Sequence, residues 1–156
     1  MASYYADSSV LVKRHVTENG TDWVRALMDV GAGNYISMSS LAIVEVASAF
    51  HRKHRLGELD AAQLATAITE FETIALHGYG MIDVTPDIVS AAYSLVARYP
   101  LRAYDAMQLA TALAVQTALQ ASGLPALTLL ASDRQLLAAA QAEGFTVDNP
   151  NLYPCG

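Results

Sequence analysis

The sequence predicts an α/β domain of three layers: a mostly parallel sheet of about five strands flanked by about seven helices. Short β-rich runs alternate with helical stretches from one end to the other, as βαβ units do. No linker, repeat or low-complexity tract interrupts that alternation. The length of 156 residues suffices for one domain with a sizeable core and leaves little room for a second. A single domain is expected over residues 1–150, with 151–156 as a C-terminal tail.

Strands are expected at Ser3–Ala6, Tyr35–Met38, Met81–Val84, Leu127–Ala131 and Phe145–Val147, each brief, as buried parallel strands are. Helix starts are marked by side chains able to cap free backbone N–H groups. These are Thr21 before Trp23-Val24, Ser39 or Ser40 before Leu41, Asp60 with Gln63 three residues on, and Thr85 followed by Pro86. Gly57, Gly78 and Gly144 fall where helices should stop.

Hydrophobic residues make up 53% of the chain and charged residues 15%. That apolar content exceeds the roughly 45–50% of an ordinary soluble domain, so some apolar surface is expected to face a partner. Ala106–Leu130 carries no charge, but Gln108, Thr111, Gln116, Thr117, Gln120, Ser122, Gly123 and Pro125 cut it into a helix, a turn and a strand, and a buried helix is the better reading than a membrane span. The opening MASYYADSS lacks the basic-then-apolar run of a signal peptide, and a cytoplasmic protein is expected. The single cysteine, Cys155, has no partner for an internal disulfide, in keeping with a reducing compartment.

The formal net charge of −6 argues against a broad, sequence-independent grip on nucleic acid, because that grip is made by Lys and Arg neutralising phosphates. Two basic clusters remain, Lys13-Arg14 with His15 and His51-Arg52-Lys53-His54-Arg55. Lys13, Arg14, Arg52 and Arg102 are the candidates for contact with a polyanion. His51 and His54 lie three apart among basic neighbours, which favours a solvated basic helix end over a metal site. For Tyr4, Tyr5, Tyr35, Tyr99 and Tyr104, packing in the core or at its rim is the default over base stacking.

Four acids stand out. Asp7 ends the first strand and Asp133 follows the fourth, so both should reach the carboxyl edge of a parallel sheet, where ligands bind. Each also suits a helix N-cap. Glu45 is the one charge in Leu41–Phe50, and Leu41, Ala42, Ser48 and Ala49 at helical spacing cannot neutralise it. It lies either on a solvent stripe or opposite other acids and a cation. Asp105 sits in the first turn of the long uncharged helix, where the helix dipole alone could account for it. A carboxylate cluster without His or Cys ligands suits hard divalent cations, which prefer oxygen donors and which polarise phosphoryl oxygens. A negative pocket that binds metal first and phosphate afterwards also reconciles the net charge with a polyanionic substrate.

The segments Tyr-Ala-Asp-Ser-Ser (5–9), Ile-Val-Glu-Val-Ala-Ser-Ala (43–49), Leu-Arg-Ala-Tyr-Asp-Ala-Met-Gln-Leu-Ala-Thr-Ala (101–112) and Ala-Ser-Asp-Arg-Gln-Leu (131–136), in that order, resemble the PIN-domain ribonucleases. The similarity is closest to the VapC-type toxins of toxin–antitoxin pairs, and it extends to Glu-Gly-Phe-Thr-Val-Asp-Asn-Pro (143–150). The resemblance implies a PIN-like fold and a Mg²⁺- or Mn²⁺-dependent endonuclease acting on RNA, often tRNA or ribosomal RNA. Its acids fall on Asp7, Glu45, Asp105 and Asp133, with hydroxyls near the metal or its water at Ser9 and Ser132. It further implies a homodimer silenced by a small antitoxin whose C-terminal segment covers the acidic groove. A nuclease of the same family acting on structured DNA, and a non-catalytic scaffold that binds RNA or protein, are the alternatives. A haloacid-dehalogenase-type site is disfavoured because it needs an acid where Ser9 stands. A receiver domain is disfavoured for lack of an acidic pair and a partner lysine.

Overall fold

In the computed structural model, which describes residues 1–154, five parallel strands form one sheet in the order β3-β2-β1-β4-β5. The strands are β1 (Ser3–Ala6), β2 (Tyr35–Ser39), β3 (Gly80–Ile82), β4 (Thr128–Leu130) and β5 (Thr146–Asp148). Seven α-helices connect them among the described residues: α1 (Ser8–His15), α2 (Thr21–Leu27), α3 (Leu41–Arg55), α4 (Ala61–Gly78), α5 (Pro86–Arg98), α6 (Ala103–Ala121) and α7 (Arg134–Ala142). Cys155 lies outside the described residues.

The three layers follow from the period-two alternation of the central strands. Ala6 and Leu130 face a core built with α1 to α4 around Val46, Phe50 and Phe71. Tyr5 and Leu129, one residue earlier in each strand, face a second core formed with α5 to α7 around Leu95, Leu109 and Leu136. The uncharged run lies in α6, whose Ala106, Leu109, Ala110 and Ala112 are buried in that second core. No helix among the described residues is long and apolar enough to cross a membrane.

The capping predictions divide. Asp60 and Gln63 form the full capping box of α4, and the Thr85 hydroxyl accepts from the Ile88 N–H above Pro86. Ser40 occupies the N-cap of α3 without a side-chain bond, and it is Ser39 Oγ that accepts from the Leu41 N–H at 3.2 Å. Thr21 does not cap α2. Gly20 holds that position at φ 84°, and Thr21 Oγ1 accepts from the Glu18 N–H at 2.8 Å and donates to the Val16 carbonyl at 3.2 Å. Gly57 and Gly144 end α3 and α7 with positive φ, whereas Gly78 is the last residue of α4 and does not.

Strand edges shift by one or two residues. Asp83 and Val84 fall outside β3, because the Ile82 carbonyl already accepts from Ser40 N, the residue after β2. The boundary expected at residue 150 falls inside a 3-10 turn, Pro150–Leu152, that packs on α2, with Tyr153 stacked on Trp23 at 4.4 Å.

Candidate active site

β1 pairs with β4 although most of the chain lies between them, and the connections leave β1 on one side for β2 and return on the other to β4. A parallel sheet opens its crevice at such a reversal, outside the strand carboxyl ends. Asp7 stands there. The Asp7 N–H extends the ladder to the Leu130 carbonyl at 3.1 Å, and the residue becomes the N-cap of α1. Its Oδ1 accepts from Ser9 N at 3.0 Å, Val10 N at 3.3 Å and Ser9 Oγ at 2.5 Å. Ser9 Oγ also accepts from Ser132 N at 3.1 Å, tying the end of β1 to the end of β4. Ser132 Oγ is buried with no partner.

Glu45 reaches the same place from α3. One of its oxygens accepts from the Ser8 hydroxyl, and the other, Oε1, is buried with no partner. Of its two sequence readings, the one facing other acids holds. Asp105 projects from the first turn of α6, half-buried. Asp133 caps α7, its Oδ1 accepting from Leu136 N at 2.9 Å, and is exposed at the rim. All four acids line one cleft of about 1130 Å³, together with Ser9 and Ser132.

The carboxyls are electrostatically crowded. Burial, above all, pushes Asp7 up to about 7; Asp105 and Glu45 add to the rise while the Ser9 and Val10 hydrogen bonds oppose it. Glu45 is raised by burial and by Asp105, against the Ser8 hydrogen bond. Asp105 is raised by burial and by Asp133, with Arg102 opposing. Each carboxylate disfavours ionisation of its neighbours, and a bound cation would reverse that effect. Among the described residues, no three His, Cys, Asp or Glu side chains close on one point to cage an ion. The donors nevertheless fit a hard divalent cation, which can take one or two carboxylates and keep several waters. All are oxygens, and Glu45 Oε1 is a buried acceptor with nothing to accept from.

Lys13, Arg52 and Arg102 line the same cleft, whereas Arg14 does not; its Nε is buried without a partner. Ser8 and Glu18, which also line it, were not singled out from sequence, and Lys53 was named in the basic run 51–55 but not among the candidates for contact with a polyanion. Lys53 lies eight residues after Glu45 on α3, a helical repeat that could have marked it. Nothing in the sequence marked Glu18. No histidine lines the cleft. His15 is buried edge-on to Phe50 and Phe71, while His54 and His77 bond the Leu59 and Thr73 carbonyls.

A three-layer α/β sheet with acids converging at its central reversal defines a PIN domain, and the chain belongs to that family, whose model matches residues 4–140. Within it, the chain is 33% identical to Ribonuclease VapC45 of Mycobacterium tuberculosis (strain CDC 1551 / Oshkosh) over 154 residues, 99% of this chain and 100% of that protein. Among solved structures, VapC20 of Mycobacterium tuberculosis, described as a sarcin–ricin loop cleaving toxin, is 17% identical with a TM-score of 0.61, covering 92% of this chain and 96% of that one. A toxin–antitoxin complex from Klebsiella pneumoniae is 16% identical with a TM-score of 0.59, covering 94% of this chain and 97% of that one.

Proposed function

We propose that the chain is an endoribonuclease of the cytoplasm that hydrolyses RNA phosphodiester bonds with Mg²⁺ or Mn²⁺ and serves as the toxin of a toxin–antitoxin pair. The observation that carries this reading is the crowding of Asp7, Glu45 and Asp105 in one cleft, with Glu45 Oε1 buried and unpartnered. The ribonuclease and toxin–antitoxin names of the relatives support the substrate class and the partner.

Asp7, Glu45, Asp105 and Asp133 would hold the ion. When bound, it would polarise a phosphoryl oxygen and make hydroxide available from water near neutral pH. The rest falls to the chain's own side chains. Ser9 fixes the Asp7 carboxylate and couples it to the β4 end, so the two acidic loops keep one spacing. The unpartnered Ser132 hydroxyl is free to donate to a phosphate oxygen. Lys13, Arg52 and Arg102 line the cleft beside the acids and offer positive charge to flanking phosphates.

The test is cleavage of a defined RNA oligonucleotide. EDTA should abolish it and added Mg²⁺ or Mn²⁺ restore it. Asp7→Asn and Asp105→Asn should each lower kcat at least a hundredfold while circular dichroism stays unchanged, since each keeps side-chain shape and removes charge. Undiminished cleavage in EDTA, or near-normal turnover in both variants, would return these acids to capping roles.

A homodimer is part of the proposal, supported by an apolar stripe on α5. Val89, Tyr93 and Val96 are 50%, 79% and 43% exposed and share one helix face. Light scattering should give twice the chain mass, and Tyr93→Asp should shift it toward the monomer. A wild-type monomer at every accessible concentration would contradict the dimer.

A further inference from the structure

The cleft also holds a network that neither capping nor the carboxylate site explains. Lys13 is only 6% exposed, and its Nζ lies 3.2 Å from Glu18 Oε2. Lys53 Nζ lies 2.7 Å from Glu18 Oε1 and 3.1 Å from Glu58 Oε2. Each oxygen of the Glu18 carboxylate therefore serves a different lysine, as two non-bridging oxygens of a phosphate would. Burial raises the Glu18 carboxyl, but hydrogen bonds from Lys53 and Lys13 outweigh it and hold the group below its usual range.

The helices set the direction of this arrangement. α1 packs on α3, and each carries an acid at or near its start and a lysine near its end: Asp7 and Ser9 before Lys13, Glu45 before Arg52 and Lys53. From Ser9 to Lys13 is about 6 Å along the helix axis, and from Glu45 to Lys53 about 12 Å. One cleft joins both ends.

Resting on the ribonuclease reading, we infer that Lys13 and Lys53 form a subsite for a backbone phosphate flanking the cut, occupied in the free chain by the Glu18 carboxylate. RNA lying along α1 and α3 brings that phosphate to the lysines and displaces Glu18, which is 26% exposed in its side chain and free to turn toward solvent. Thr21 keeps the Glu18 backbone in place meanwhile, its hydroxyl accepting from the Glu18 N–H. Glu18 thus weakens RNA binding and makes it selective for strands long enough to reach the subsite.

The test is fluorescence anisotropy of a labelled RNA oligonucleotide on the full chain carrying Asp7→Asn to suppress cutting, over a range of salt. Adding Glu18→Gln should tighten binding at least threefold and steepen the slope of log affinity against log salt by about one. Adding Lys53→Gln should weaken binding at least threefold and flatten the slope by a similar amount. If Glu18→Gln fails to fold, Lys53→Gln decides alone. Binding within twofold of the parent in every folded variant overturns the subsite, as does tightening by Glu18→Gln toward a poly-glutamate peptide but not toward RNA. Variants that shift affinity as stated, when the chain with Asp7 restored cuts no RNA in Mg²⁺ or Mn²⁺, would uphold the subsite and refute the cleavage reading. Normal cutting by the chain with Asp7 restored, together with unshifted affinity, would do the reverse.

Discussion

His15 is a buried imidazole in the α1–α4 core. Its ring nitrogens have no hydrogen-bond partner, and the nearest carboxylate oxygen, on Glu70 of α4, lies 3.6 Å from Nδ1, beyond hydrogen-bond reach. Phe50 of α3 and Phe71 of α4 flank the ring, and Arg14 and Arg25 contribute positive charge. Burial, then Arg14, lowers His15 to about 4, with Glu70 opposing. A histidine lowered on folding favours the native state above its unfolded value of about 6.5, and that stability is lost as pH falls through about 4. Wild type should therefore lose roughly 3 kcal/mol relative to His15→Leu between pH 7 and pH 4, read from urea unfolding at each pH. Parallel pH profiles for the two proteins would show that His15 does not titrate in that window. Sequence placed His15 in the basic cluster with Lys13 and Arg14 at a helix end, whereas its ring turns into the core between Phe50 and Phe71. For Asp7 and Asp133, capping and the site are not alternatives: each caps its helix and also faces the cleft. Glu45 was better marked, because an apolar helix offered its charge no neighbour. Glu18 was invisible, since its lysines lie on α1 and α3 and only tertiary packing brings them to it.

Helices were read more reliably than strands, for a physical reason. Asp60-x-x-Gln63 and Thr85-Pro86 satisfy orphan N–H groups locally, so the pattern is complete within one turn of chain. Strand ends depend on a partner elsewhere, and β3 stops where β2 gives out. At α2 the sequence misled, because Thr21 is used by the loop before the helix and the cap passes to Gly20. Gly20 has φ +84°, and a Cβ there would lie 2.3 Å from the Pro150 carbonyl oxygen. Gly20→Ala should cost at least about 1–2 kcal/mol from the left-handed backbone alone and should unseat the 150–153 turn from α2. The protein's one tryptophan, Trp23, stacks on Tyr153 with an interplanar angle of 2°, so the native fluorescence should change as well. An unaltered spectrum and melting temperature would contradict the tight packing of Gly20 against Pro150.

The fold gathers its chemistry through topology. The order β3-β2-β1-β4-β5 sets Asp7 and Asp133, far apart in sequence, on adjacent strand ends, while α3 and α6 bring Glu45 and Asp105 over the same edge. The alternation of strands and helices was enough to predict this class and the acidic edge. The register that makes Ser9 Oγ accept from Ser132 N was not predictable, because it depends on how β1 aligns with β4. The resulting cleft contains carboxylates and cations but, among the described residues, no histidine, so the paired histidines that would make a ribose 2′-hydroxyl attack its own phosphate are not found in it. On the proposed metal-dependent reading, water would be the nucleophile and the 2′-hydroxyl would contribute only to binding and shape. The decisive measurement is mass spectrometry of the fragments from a defined RNA, cut with and without a single 2′-deoxy substitution at the cleaved nucleotide. The fragments should carry 5′-phosphate and 3′-hydroxyl ends, and the deoxy substrate should still be cut. A 2′,3′-cyclic phosphate product together with complete block by the deoxy sugar would contradict the metal-dependent reading.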